Sequence, residues 1–189
     1  DCILVDPGDE AEKISYFIDD NNFNPIAIIN THAHLDHIGA VTEIKNKYNI
    51  PFYLHSAEKQ ILESYPLSCR IFGMEVKPVP VVDNWIHKAG KLTIGEFNFS
   101  IIETPGHTPG GCCYLIENRL FVGDTLFRGS VGRTDLPGGN WDILEKSLLY
   151  IMEHVDLDVI IYSGHGKETN LRTEKEKNPF LISLKSHLN

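Results

Sequence analysis

The sequence predicts a mixed α/β domain, and three observations carry that expectation. Short apolar runs rich in Ile, Val and Phe are closed by Gly, Pro or Asn, as strands commonly are. Between several of them, apolar residues recur three and four positions apart, the period of a helix face. The two kinds of segment follow one another as β-α-β-α-β-α, then a series of strands, then α-β-α.

The elements follow in order. Cys2–Val5 is a strand closed by the turn Asp6-Pro7-Gly8. Ala11, Ile14, Phe17 and Ile18 mark an amphipathic helix, and Pro25 ends the connection that follows it. Residues 26–30 are a β-branched strand stopping at Thr31. Ile38, Val41 and Ile44 mark one helix ending near Asn49, residues 51–54 a strand, and residues 57–62 a short helix. Residues 64–77, with Pro66 and Gly73, read as an irregular, mobile flap. Strands are expected over 91–94, 97–102, Cys112–Ile116 and 120–122. Trp141, Leu144, Leu148 and Ile151 define a longer helix capped by Asn140. Residues 159–162 form a last strand. Thr173-Glu174-Lys175-Glu176 reads as a capping box opening a terminal helix.

No internal boundary or repeat is visible, so residues 1–189 read as one domain, a length sufficient to bury a sizeable core. The chain begins at Asp1 and runs straight into a strand, so further N-terminal strands are expected to precede it. A net charge of -9 disfavours nucleic acid and anionic membranes as partners. Cys2, Cys69, Cys112 and Cys113 lack CxxC spacing and read as thiols of a reducing compartment. With no apolar run of membrane-spanning length and no signal-peptide pattern, a cytoplasmic location is expected.

The chemistry concentrates in Thr31-His32-Ala33-His34-Leu35-Asp36-His37, directly after a predicted strand. Imidazole nitrogens and carboxylate oxygens are the ligands that suit zinc and related metals. His32 and His34 are two apart and project to one side of an extended chain. Asp36 and His37 fall where the chain turns into a helix. Only nine histidines are spread over 189 residues, so three in six positions do not read as chance. His107, Asp124 and His165 share a second pattern: each follows an apolar strand and a glycine. His55, at a strand end, reads as a cap or a support for the ligands. His87, His154 and His187 read as solvated or packed.

These pieces, His32-Ala33-His34-Leu35-Asp36-His37, Pro105-Gly106-His107-Thr108-Pro109-Gly110, Gly123-Asp124 and Gly164-His165, resemble the metallo-β-lactamase superfamily, and within it the compact glyoxalase II-like hydrolases. The resemblance implies a four-layer αββα sandwich and two divalent metal ions, zinc first, with iron or manganese as alternatives. It assigns His32, His34 and His107 to one ion, Asp36, His37 and His165 to the other, and Asp124 to both. It also gives Asp6 a role in supporting the ligands.

In that family a hydroxide shared by two metals attacks a carbonyl carbon, and a thioester suits the arrangement because a thiolate leaves without full protonation. The implied substrate is a small-molecule thioester such as S-lactoylglutathione. Arg128, Arg133 and Lys167 are candidates for an anionic substrate group, with an Arg133–Asp135 structural pair as the competing reading. Two other readings stand beside the hydrolase. One is a mononuclear iron persulfide dioxygenase on the same scaffold, whose loop resembles Gly132-Arg133-Thr134-Asp135. The other is a metal-binding protein without catalysis.

Overall fold

The computed structural model describes residues 1–187, with side chains through Lys185; the side chain of His187 lies outside the described residues. The chain divides into two compact units, residues 1–87 with 94–96, and residues 88–93 with 97–189.

The first unit contains β1 (Cys2–Val5), α1 (Ala11–Asp20), β2 (Pro25–Ile29), α2 (Leu35–Ile38), α3 (Val41–Tyr48), β3 (Phe52–His55), α4 (Lys59–Glu63), α5 (Tyr65–Ile71) and β4 (Asn84–Ile86). Its four strands pair in chain order, all parallel. Such a sheet needs apolar cover, and Ile28, Phe52 and Leu54 pack with Ala11, Ile38, Val41, Ile44 and Leu62 from the helices. The helix expected through residues 38–48 is two pieces. It breaks at Gly39-Ala40, where the Ala40 N–H turns aside to the Pro7 carbonyl at 3.1 Å.

The expectation of an irregular flap is corrected over its first half. Tyr65–Ile71 is helical, because Pro66 lies in the first turn, where no intrahelical N–H bond is lost. Tyr65 and Cys69 are buried in the core of this unit.

The second unit contains β5 (Gly90–Ile94), β6 (Phe97–Glu103), β7 (Cys112–Ile116), β8 (Arg119–Gly123), β9 (Leu126–Phe127), β10 (Ser130–Val131), α6 (Trp141–His154), β11 (Ile160–Ser163), β12 (Thr169–Asn170), α7 (Leu171–Lys177) and α8 (Pro179–His187). Six strands form a sheet in the order β12-β11-β8-β7-β6-β5, and β9 and β10 make a small hairpin. β8 and β11 are parallel, joined by the crossover through α6. Leu144, Leu148 and Ile151 of α6 pack with Cys113, Leu120, Val122 and Ile161 of the sheet and Leu171, Leu181 and Leu184 of the last helices.

Asn140 caps α6, its Oδ1 accepting the Ile143 N–H at 3.1 Å, as expected. The capping box at Thr173 is corrected. Asn170 caps α7 instead, accepting the Thr173 N–H at 2.8 Å, and Glu174 is turned to another use. The first unit thus pairs a four-stranded sheet with helices, and the second a six-stranded sheet and a small hairpin with helices. No helix among the described residues is long and apolar enough to cross a membrane.

Candidate metal centre

The first unit supplies His32 and His34 from the loop between β2 and α2, and Asp36 and His37 from α2 itself. Asp6, at the end of β1, organises this segment. Asp6 Oδ1 accepts the Thr31 N–H at 2.7 Å, and Oδ2 accepts the Thr31 hydroxyl at 2.6 Å. Oδ2 also meets His37 Nδ1 at 3.0 Å. A carboxylate only accepts, so His37 Nδ1 carries the proton and Nε2 the lone pair. The same logic reaches His32, whose Nδ1 lies 3.0 Å from Thr31 Oγ1. Having given its proton to Asp6, that oxygen accepts from His32 Nδ1–H. One carboxylate thereby fixes two tautomers, each with Nε2 as the nitrogen suited to a metal.

Two further contacts hold the loop. The Asn30 amide donates to the His37 carbonyl at 2.7 Å. The wholly buried Glu58 accepts the Ala33 N–H, between His32 and His34, at 2.8 Å. The rings of His32 and His34 lie 4.9 Å apart, and those of His32 and His37 4.0 Å. His37 Nε2 lies 3.9 Å from Asp36 Oδ2, and Asp36 is exposed. His55 is a cap, its Nδ1 accepting the Ala57 N–H at 3.4 Å.

The second unit assembles His107, Asp124 and His165. The turn carrying His107 is locked onto the start of α6. A Cβ on Gly106 would stand 2.3 Å from Leu144 N, so only glycine permits this approach. The Ser147 hydroxyl donates to the Pro105 carbonyl at 2.7 Å. His107 Nδ1 donates to the Arg133 carbonyl at 2.7 Å, which again leaves Nε2 with the lone pair. Gly132, one residue earlier, lies so close that a Cβ there would be 1.8 Å from the Asp124 carbonyl oxygen. The Gly164 N–H donates to the Gly123 carbonyl at 2.9 Å and so ties the His165 turn to the Asp124 turn.

Asp124 Oδ2 lies 3.6 Å from His107 Nε2 and 3.5 Å from His165 Nε2. Both distances exceed a good hydrogen bond. They suit ligands of a shared ion, since two tetrahedral ligands about 2.0–2.1 Å from zinc stand about 3.3 Å apart. Imidazoles with fixed tautomers and a carboxylate at such spacing fit a divalent first-row metal in chemistry and geometry.

Of the candidate substrate contacts, Arg128 and Lys167 are exposed. Arg133 grips Asp135 through two contacts of 2.7 Å, the arrangement expected of a structural pair. Hydrogen bonding from Arg133 holds the Asp135 carboxyl down at about 2. Glu58 and Glu174, both buried, were not singled out as site residues from sequence. Both look there like ordinary solvated helix residues, and only burial separates them from the rest.

Two outcomes are expected. Asp6→Asn keeps a residue that tolerates the left-handed backbone at this position, where φ is 49°. It offers one oxygen in place of two, so a donor must face a donor at Thr31 or His37. Zinc affinity, measured by chelator competition, falls about 10–100-fold. An NMR titration of the Asp135 carboxyl has its midpoint at about 2, and Arg133→Ala returns it toward the ordinary range of an aspartate. Because this pKa is lowered on folding, the pair's contribution is full above about 4 and lost as pH falls toward 2.

Comparison with known proteins places these observations in a family. The family model described as the metallo-β-lactamase superfamily matches residues 1–165. The chain is 43% identical over 188 residues to a probable metallo-hydrolase, YqgX, of Bacillus subtilis, covering 95% of this chain and 87% of that protein. It is 35% identical over 184 residues to the hydroxyacylglutathione hydrolase GloC of Haemophilus influenzae, covering 95% and 87%. Among solved structures, the B3 metallo-β-lactamase BLEG-1 aligns with a TM-score of 0.90 at 40% identity, covering 95% of this chain and 88% of that one. TTHA1623 in a di-iron-bound form aligns with a TM-score of 0.88 at 36% identity, covering 95% and 89%. The chain therefore belongs to the metallo-β-lactamase superfamily of metal-dependent hydrolases, and it has that family's fold.

Proposed function

We propose that the protein is a binuclear metal-dependent hydrolase of small-molecule thioesters of the S-lactoylglutathione type. The observation that carries this reading is the set of fixed tautomers. His32, His37 and His107 each engage Nδ1 within the protein and keep Nε2 for a ligand bond. In this reading His32, His34 and His107 hold one ion, Asp36, His37 and His165 the second, and Asp124 both. Once bound, the ions would supply a water deprotonated near neutral pH and Lewis-acid polarisation of the thioester carbonyl. Zinc suits this donor set, and the di-iron form of TTHA1623 makes iron a second candidate.

The chain's own residues have narrower tasks. Asp6 and the Arg133 carbonyl hold the imidazoles in place, so that little reorganisation is required when charge develops. Asp36 and Asp124, as ligands, are not available as general acids. A thiolate leaving group makes that tolerable, because it departs without a proton donor. With Arg133 committed to Asp135, the exposed Arg128 and Lys167 remain, of the three candidates, to meet an anionic substrate group. The name of GloC supports the glutathione thioester as substrate.

BLEG-1, at 40% identity, gives a specific reason to keep β-lactam hydrolysis as a second reading. A lactam nitrogen needs more help on leaving than a thiolate does, and this favours the thioester. The test is zinc-loaded full chain incubated with S-lactoylglutathione and, separately, with a chromogenic cephalosporin, with and without a chelator. Chelator-sensitive loss of the thioester and little turnover of the lactam are expected. Lactam turnover alone would overturn the thioester reading in favour of the second. Activity on neither would leave a metal-binding protein without hydrolase function, or send the iron-loaded chain to an oxygen-consumption assay on glutathione persulfide.

A further inference from the structure

Glu174 is buried in the second unit, 50 residues along the chain from Asp124. Its Oε2 accepts the Gly129 N–H at 2.8 Å and the Asn178 side-chain amide at 2.9 Å. Its Oε1 accepts the Thr169 hydroxyl at 2.6 Å. Asn178, also buried, directs the same amide nitrogen to the Phe127 carbonyl at 3.3 Å and the Ser130 carbonyl at 3.0 Å. Together the two side chains take both the N–H and the C=O groups of one short stretch, the tip of the β9–β10 hairpin.

That hairpin and the residues that flank it adjoin the candidate ligands of its unit. It starts two residues after Asp124. It ends one residue before Gly132, which abuts the Asp124 carbonyl, and Arg133, whose carbonyl accepts from His107. The Phe127 ring lies 6.1 Å from the ring of His165. Two-residue strands have too few ladder bonds to hold themselves. A buried carboxylate is costly unless its oxygens are satisfied, and here they are satisfied by the hairpin and its surroundings.

We propose that Glu174 and Asn178 are positioning residues: a clamp that holds the β9–β10 hairpin so that His107, Asp124 and His165 present their ligand atoms at metal-binding spacing. The proposal rests on the reading of those three residues as ligands.

The test compares Glu174→Ala, Asn178→Ala and Glu174→Gln in the full chain. Zinc affinity is measured by competition with a chromophoric chelator, and site geometry by the ligand-field spectrum of the cobalt-loaded chain. The glutamine can preserve the clamp. Its oxygen accepts from Gly129 and Asn178, and its NH₂ donates to the Thr169 hydroxyl, which can turn to accept. Affinity falls about 10–100-fold in the alanine variants with an altered cobalt spectrum, and Glu174→Gln restores both. A folded Glu174→Ala with wild-type affinity and spectrum, or a Glu174→Gln that fails to restore them, overturns the clamp.

Should the alanine variants not fold, hydrogen exchange on the wild-type chain decides. If the clamp favours metal binding, metal must favour the clamp. Zinc then slows exchange of the Gly129 amide, and an unchanged Gly129 rate overturns the proposal. A wild-type chain that binds no zinc overturns the ligand reading itself, and the clamp with it.

Discussion

A single carboxylate sets the order of the first ligand loop. Asp6 receives three donors on two oxygens: the Thr31 N–H, the Thr31 hydroxyl and His37 Nδ1. The hydroxyl passes the constraint on to His32. An imidazole in water is free to carry its proton on either nitrogen and to turn about two bonds. Here the tautomer is fixed, and the ring orientation follows from packing and from the partner on Nδ1. The position is bought with backbone strain, since Asp6 sits at a φ of 49°, where a non-glycine residue rests only if its surroundings insist. The strand β1 and the turn after it exist, in functional terms, to bring that carboxylate under Thr31.

The second unit solves the same problem without a carboxylate. The Arg133 carbonyl does for His107 what Asp6 does for His37. A carbonyl can serve only if its loop is rigid, and the supports of that loop are correspondingly elaborate. Gly132 presses against the Asp124 backbone, Arg133 is tied to Asp135, and the hairpin tip meets Glu174 of α7 and Asn178 just after it. The Thr104 and Thr125 hydroxyls, 3.0 Å apart, link the strand ends that carry the His107 and Asp124 turns. Backbone closeness, not side-chain chemistry, carries much of the positioning in this half.

Most of the main elements were legible in the sequence, and it was the sequence that nominated the seven candidate ligands, for physical reasons. Strand runs and helix periodicity report which face is buried, and burial is what the core elements share. Ligand residues are conspicuous because histidine is uncommon and carboxylates seldom follow a strand-ending glycine. What was missed depends on long-range contacts. Pro66 reads as a breaker until it is seen to occupy the first turn of α5. Thr173 and Glu176 have capping-box spacing, yet the cap comes from Asn170, and the neighbouring Glu174 is buried. Strands of two or three residues such as β4, β9, β10 and β12 carry no period of their own and are defined by their partners. Asp6 entered only through family resemblance, because Asp-Pro-Gly is by itself a sufficient turn.

We propose that these histidines and carboxylates hold two metal ions. Calorimetric titration of the chelator-stripped full chain with zinc tests it most directly. The account predicts two equivalents bound per chain. Saturation at one equivalent, or no binding, would contradict it.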